Sequence, residues 1–274
     1  MSGIVILLLL PLVGALIAAT FPKQHVAATA PILPFLQIGA ILPMLWKFEL
    51  ADGLQFAVEE VWINDLGIHF ALGLDGLSIF MVALTVGSWT VATISASLRP
   101  VENPRLFFFM LALAEFGTLG AFMAQDLILF ILFFDLLLIP FYFLIGIWGD
   151  GDRRAATTKF MIYTMAGSLL MFVAALALGV LSTLQNESRV SFLFSDLIAN
   201  PIDANAQKWI FAGFAIALLV KMPLPPLHGW MRDTYRSAPL AVLIPLSAVV
   251  AKLGAYGFLR SVLPLLPEAV AAFD

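Results

Sequence analysis

Apolar runs of about twenty residues recur from one end of this 274-residue chain to the other. A run of that length is what a helix needs to cross the roughly 30 Å hydrocarbon core of a bilayer. Lipid offers no partner to a backbone amide or carbonyl, so such a chain is confined to helices that satisfy their own hydrogen bonds. Composition agrees: 62% of residues are hydrophobic and 12% charged, against about 25% charged in a soluble domain. The expected fold class is all-α, a polytopic transmembrane helix bundle. Eight spans are expected, at 3–21, 26–46, 76–98, 106–124, 127–148, 160–184, 209–230 and 241–263, the seventh of them discontinuous.

The segments between the runs carry their own information. Residues 47–75 hold Glu49, Asp52, Glu59, Glu60, Asp65 and Asp75 and read as an outward-facing polar excursion, a short amphipathic helix or a hairpin. Loops after odd-numbered spans contain eight Lys or Arg residues, such as Arg99, Arg153, Arg154 and Arg232, against four on the other side. The excess of basic residues marks the cytoplasmic side, which would place both termini outside. No Lys or Arg precedes the first run, so it reads as a retained helix rather than a signal peptide.

Several function classes drop out. The chain has no cysteine and its net charge is −4. Thiolate metal sites and iron–sulfur ligation are therefore excluded, and nucleic acid is not an expected partner. His25, His69 and His228 are dispersed, which argues against a redox metal, and no glycine-rich phosphate loop is present. No metal or cofactor is expected in this chain.

Four ionisable residues interrupt the apolar runs: Glu115, Asp135, Lys221 and Lys252. Each costs about 2.5–3.5 kcal/mol at mid-membrane if left unpaired. Lys221 falls within the run from Trp209 and is followed by Pro223, Pro225 and Pro226, then His228. Proline removes a backbone donor and clashes one turn back, so this stretch reads as a helix broken at membrane depth, of the kind that lines ion sites. The alternative is a lysine at a helix end followed by an ordinary loop. A lysine between burial and a nearby carboxylate can load and release a proton, and His228 has the intrinsic basicity of a relay. The alternative for the charges is a static interhelical pair.

The run EFGTLGAFMAQDLILFILFFDLLLIPFYFLIGIWG (Glu115 to Gly149) resembles spans four and five of the antiporter-like subunits of respiratory complex I, closest to the M type, called subunit 4 in mitochondria. GLDGLSIFMVALT, KFMIYTMAGSLLM, VKMPLPPLHGWMRDTYRSAP and AKLGAYGFLR agree with it. The resemblance covers essentially the whole chain. It implies that Asp135 takes the position of the family's span-five acid, usually Glu, that Lys221 is its span-seven partner, and that Lys252 is the central span-eight lysine. His228 lies on the implied route, with Glu115 accessory. The implied organisation is an N-terminal part, 1–104, followed by one antiporter-like five-helix repeat, 105–274. The second repeat is absent, as in a fragment, a split subunit, or a half supplied by another chain.

That resemblance implies a proton-translocating membrane subunit of a complex I-like NAD(P)H or other donor:quinone oxidoreductase, and the expected location is a bacterial inner (plasma) membrane or another energy-transducing membrane. It does no redox chemistry itself. Quinone, NADH, flavin and iron–sulfur centres belong to partner subunits. The alternatives are a subunit of a multi-subunit cation/proton (Na+/H+) antiporter or of a membrane-bound hydrogenase, or a purely structural membrane subunit.

Overall fold

The structure, a computed structural model, describes residues 3–187 and 189–272. Met1, Ser2, Ser188, Phe273 and Asp274, which fall in the expected segments 1–104 and 105–274, lie outside the described residues. The chain is mostly helical. It opens with α1 (Gly3–Thr20), α2 (Lys23–Thr29) and α3 (Ile32–Lys47), the last two separated at Pro31. A hairpin of β1 (Gln55–Ile63) and β2 (Ile68–Leu74) follows, paired antiparallel. Next come α4 (Ser78–Ser97), α5 (Pro104–Met123), α6 (Leu127–Leu136), α7 (Leu138–Trp148) and α8 (Arg153–Asn186). The short α9 (Phe194–Ala199) leads into α10 (Ala204–Lys221), α11 (Met231–Ser237) and α12 (Leu240–Pro245). The last crossing continues through α13 (Lys252–Gly257) and α14 (Leu263–Leu265), and α15 (Pro267–Ala271) closes the described chain.

Seven helical stretches among the described residues are long and apolar enough to cross a membrane. They correspond to seven of the eight expected spans. The remaining one, α10, carries Asn205, Gln207, Lys208 and Lys221 within its 18 residues. The polar excursion at 47–75 forms the hairpin, so the protein is not strictly all-α. Val61 and Trp62 of β1 are exposed, while Leu72 and Leu74 of β2 are buried.

The helices begin where the sequence supplies caps. Asp126 accepts from the Ile128 and Leu129 amides and so starts α6. Asp203 does the same for α10 through Asn205 and Ala206, and Asp152 for α8 through Ala155. A side-chain acceptor of this kind satisfies amides that the first turn leaves open. These caps extend the sixth and seventh stretches upstream of the expected 160 and 209.

Burial is arranged as a membrane requires. On α8, Ile162, Met165, Leu169, Val173, Val180 and Leu184 form an exposed apolar stripe. Thr157, Thr164, Gly167, Ser168 and Ser182 line its buried face. Small and hydroxylated residues let helix backbones approach when the surrounding lipid is as apolar as leucine. α8 packs mainly on α10, and α1 on α5.

Two crossings are broken. The 127–148 run, expected to be continuous, divides at Leu137: Pro140 has no amide to give Leu136, one turn back. The last crossing contains two π-helical segments, Leu246–Val250 and Phe258–Val262, with Lys252 on the helical turn between them.

Arg260 ties this crossing to the start of α4. Its Nη1 donates to Asp75 Oδ2 at 2.8 Å, and its Nη2 donates to Gln125 Oε1. Asp75 Oδ1 also accepts from the Ser78 and Leu77 amides. Burial alone would raise the Asp75 carboxyl, but the Ser78 amide, the Arg260 guanidinium, the Ser78 hydroxyl and the Leu77 amide together hold it below its ordinary value. With the folded value depressed, this stabilisation is complete above the unfolded carboxylate value, about 3.9, and fades as pH falls through the lower folded one. An Asp75→Asn variant is expected to melt at a lower temperature at neutral pH and to lose less than the parent on acidification, measured by thermal unfolding in detergent from pH 7 to 3.

Candidate functional site

Lys221 is the last residue of α10, and after it the chain turns through residues 222–230 before helix resumes at Met231. A helix ending inside the bundle leaves carbonyls without their helical donors, and the segment supplies replacements. The Met222 amide closes on Leu218 O and the Leu224 amide on Leu219 O. The Trp230 indole Nε1 donates to Val220 O at 2.9 Å, and its ring packs edge-on against Phe160 of α8. The break is therefore a built feature. Gly254 of α13 lies directly against it: a Cβ there would come within 2.9 Å of Leu218 O and 3.0 Å of Met222 N.

Lys221 is only 2% exposed. Its Nζ has no hydrogen-bond partner among the described residues. It sits 4.4 Å from the centroid of the Phe134 ring on α6. An ammonium over an aromatic face gains on the order of 2 kcal/mol when desolvated. The C-terminal end of α10 adds a field that favours a cation.

Asp135 follows Phe134 directly and stands on the last turn of α6, beside the break at Leu137. The Ser168 hydroxyl of α8 donates to its Oδ1. Asp135 and Lys221 interact electrostatically, but no direct ion pair joins them among the described residues, whose ion pairs lie elsewhere. The site thus consists of two helix ends, one bearing an acid and the other a base, with the Phe134 ring against Lys221 and the Ser168 hydroxyl on Asp135.

The other expected residues lie outside this cluster. Lys252 is exposed, midway along the last crossing, with its Nζ on the carbonyls of Ala248 at 2.7 Å and Ser247 at 3.3 Å. His228 is exposed in the turn segment. Its carbonyl accepts from the Met231 amide, and its ring has no hydrogen bond or ion pair to Asp135, Lys221 or Lys252 among the described residues. Glu115 is buried on α5 beside Gln37 of α3, and its Oε1 has no hydrogen-bond partner. Pro223, Pro225 and Pro226 all fall in the non-helical segment.

Phe134 and Ser168 were not among the expected site residues. Ser168 was signalled by MAGSLLM, where a hydroxyl within a small-residue patch marks a buried helix face. Phe134 carried no signal, being one phenylalanine among 24. Outside this cluster, Lys159 of α8 pairs with Asp233 of α11 at 2.8 Å on the surface. That contact, chiefly the hydrogen bond from Lys159, holds the Asp233 carboxyl below its ordinary value.

The family model described as NADH:quinone oxidoreductase/Mrp antiporter, transmembrane, matches residues 124–273. NADH-quinone oxidoreductase subunit M of Escherichia coli K12 is 41% identical over 219 residues, covering 77% of this chain and 42% of that protein. NAD(P)H-quinone oxidoreductase chain 4 2 of Thermosynechococcus vestitus is 34% identical, covering 96% of this chain and 49% of its own length. A chain of respiratory complex I from Thermus thermophilus superposes with a TM-score of 0.84 at 30% identity, over 98% of this chain and 54% of that one. The chain spans about half the length of the curated relatives it matches.

The proximity of Asp135 and Lys221 predicts a measurable coupling. In a double-mutant cycle with Asp135→Asn and Lys221→Met, the double variant is expected to be more stable than the sum of the single losses allows. The expected difference is on the order of 0.5–3 kcal/mol, read from thermal unfolding of the purified protein. Additive losses would mean that the two groups do not sense each other.

Proposed function

Because the chain belongs to the NADH:quinone oxidoreductase/Mrp antiporter transmembrane family, we propose that it is a proton-translocating membrane subunit of a complex I-like quinone oxidoreductase. One observation carries this reading: Lys221, buried and without a hydrogen-bond partner among the described residues, ends a broken helix and interacts electrostatically with an acid that ends another. An ammonium in that seat is held by a ring, a helix end and a carboxylate a short distance away. A small movement of α6 relative to α10 changes how much of that support it feels, and so whether it keeps its proton. Ser168 holds the Asp135 carboxylate in place.

Electron transfer, with NADH, flavin, iron–sulfur centres and quinone, is assigned to partner subunits. This chain supplies the acid–base pair. Lys252 is proposed as the next station. Its exposed position midway along an apolar crossing supports contact with further polypeptide or water instead of lipid, since a bare ammonium is costly at that depth. His228 is proposed to exchange protons with the aqueous side, in keeping with its exposure. Glu115 remains at most accessory, because it lies on α5 in a separate environment. Eight crossings, counting α10, with 1–104 preceding an antiporter-like repeat at 105–274, complete the proposed organisation. The basic residues in the loops support cytoplasmic odd-numbered loops with both termini outside, and the proposed location is a bacterial inner membrane or another energy-transducing membrane.

The family description also names the Mrp antiporters, and the same acid–base pair would serve cation/proton exchange. In the assembled complex, Lys221→Ala is expected to abolish proton pumping, measured by dye quenching in inside-out vesicles, with the subunit still inserted and assembled. Normal pumping in that variant would reject the assignment. Co-purification of a quinone reductase supports the first role, and a sodium-dependent proton flux without one supports the second.

A further inference from the structure

Glu115 does not share the Asp135–Lys221 cluster, and its surroundings define a second site. It lines an apolar cavity of about 290 Å3 formed between α1, α2, α3 and α5. Thr93 of α4 and Leu111 of α5, both buried, line it too. So do Ile17, Phe21, Ile32 and Leu36, all exposed large apolar residues. Ile17, Ile32 and Leu36 belong to stretches long and apolar enough to span a membrane. The cavity wall therefore joins residues that would face lipid to a buried carboxyl.

That carboxyl is 3% exposed, and its Oε1 has no hydrogen-bond partner among the described residues. Gln37 beside it is completely buried, and neither its amide oxygen nor its amide nitrogen is hydrogen-bonded in good geometry. Buried polar groups in proteins are nearly always satisfied, and one left open carries a penalty of about 1–3 kcal/mol. Glu115 alone of the two lines the apolar chamber, and its open carboxyl oxygen specifies what would relieve it. The guest needs an apolar body to fill the chamber and one donor to reach Glu115. From Phe108, which also lines the chamber, to Glu115 is seven residues, roughly 10 Å along the helix, a length suited to a medium chain.

We propose that this cavity binds a membrane-borne small amphiphile: a medium-length apolar chain ending in a hydrogen-bond donor, hydroxyl or amine, that is received by Glu115. This assignment is independent of the proton-translocation reading, because it uses no residue of the Asp135–Lys221 cluster. It gives Glu115 a ligand-binding role in place of an accessory one.

The test is photolabelling of native membranes containing the assembled complex, with diazirine-bearing octan-1-ol, octylamine and octane as probes. The alcohol or the amine is expected to label cavity-wall peptides of α1 and α5 saturably, and the octane probe about ten-fold less, the worth of one good hydrogen bond. Competition by unlabelled octanol or octylamine identifies the preferred head. Glu115→Leu should reduce labelling to the octane level. Glu115→Gln, which keeps an acceptor, should retain it. Ala112→Trp, which fills the chamber, should abolish it with the complex still assembled. Equal labelling by all three probes would overturn the proposal and leave an unselective greasy void. Absence of wall labelling, or labelling indifferent to both Glu115→Leu and Ala112→Trp, would overturn it equally.

Discussion

A positive charge held in oil at the end of an interrupted helix is the constraint around which the rest of the structure is arranged. Lys221 has no hydrogen-bond partner among the described residues, so its seat is made of weaker and softer contributions: the Phe134 ring, the α10 carboxyl end and the nearby Asp135. Those contributions depend on where α6 stands relative to α10. α8 sets that distance. It packs on α10 at Gly167, where a Cβ would meet Ala217 and Val220 at 3.4 Å, an ordinary contact distance, and Ser168 reaches the other way to Asp135. One helix thus fixes both partners through adjacent residues.

Much of this was legible in the sequence, for definite reasons. Apolar run length is nearly sufficient to locate a membrane crossing, and the expected positions agree with the seven stretches long and apolar enough to span. Lys221 followed by three prolines between 223 and 226 announced the break, because so many missing backbone donors in one turn leave a helix little to continue on. The resemblance carried by residues 115–149 and 220–239 agreed with the family match over 124–273. The hairpin at 47–75 was one of two readings of a polar segment. Its choice rests on long-range pairing: β2 is fastened by the Gln125 amide to Ala71 O and by the His69 amide to Asp126. No local pattern contains those contacts.

What stayed hidden depends on packing partners. The break at Leu137 required knowing that Pro140 would interrupt its crossing; Pro11 lies inside α1 without ending it. The π-helical segments around Lys252 have no compositional mark. Phe134 became part of the site only because α10 ends opposite it. Lys252 illustrates the converse: the sequence put it at the middle of a crossing, where it is, but the direction in which it faces is a property of the assembled bundle.

Gly254 gives the two lysines a relation that their charges do not. The final crossing packs on the α10 break at Gly254, where a Cβ would meet Met222 Cγ at 2.8 Å, Leu218 O at 2.9 Å and Met222 N at 3.0 Å, within one helical turn of Lys252 and three residues from Lys221 at Leu218. A rotation of the last crossing would therefore be felt at the break as a shove, transmitted by hard contact and not by field. Ionic strength, which weakens electrostatic communication between distant charges, leaves a mechanical linkage of this sort untouched.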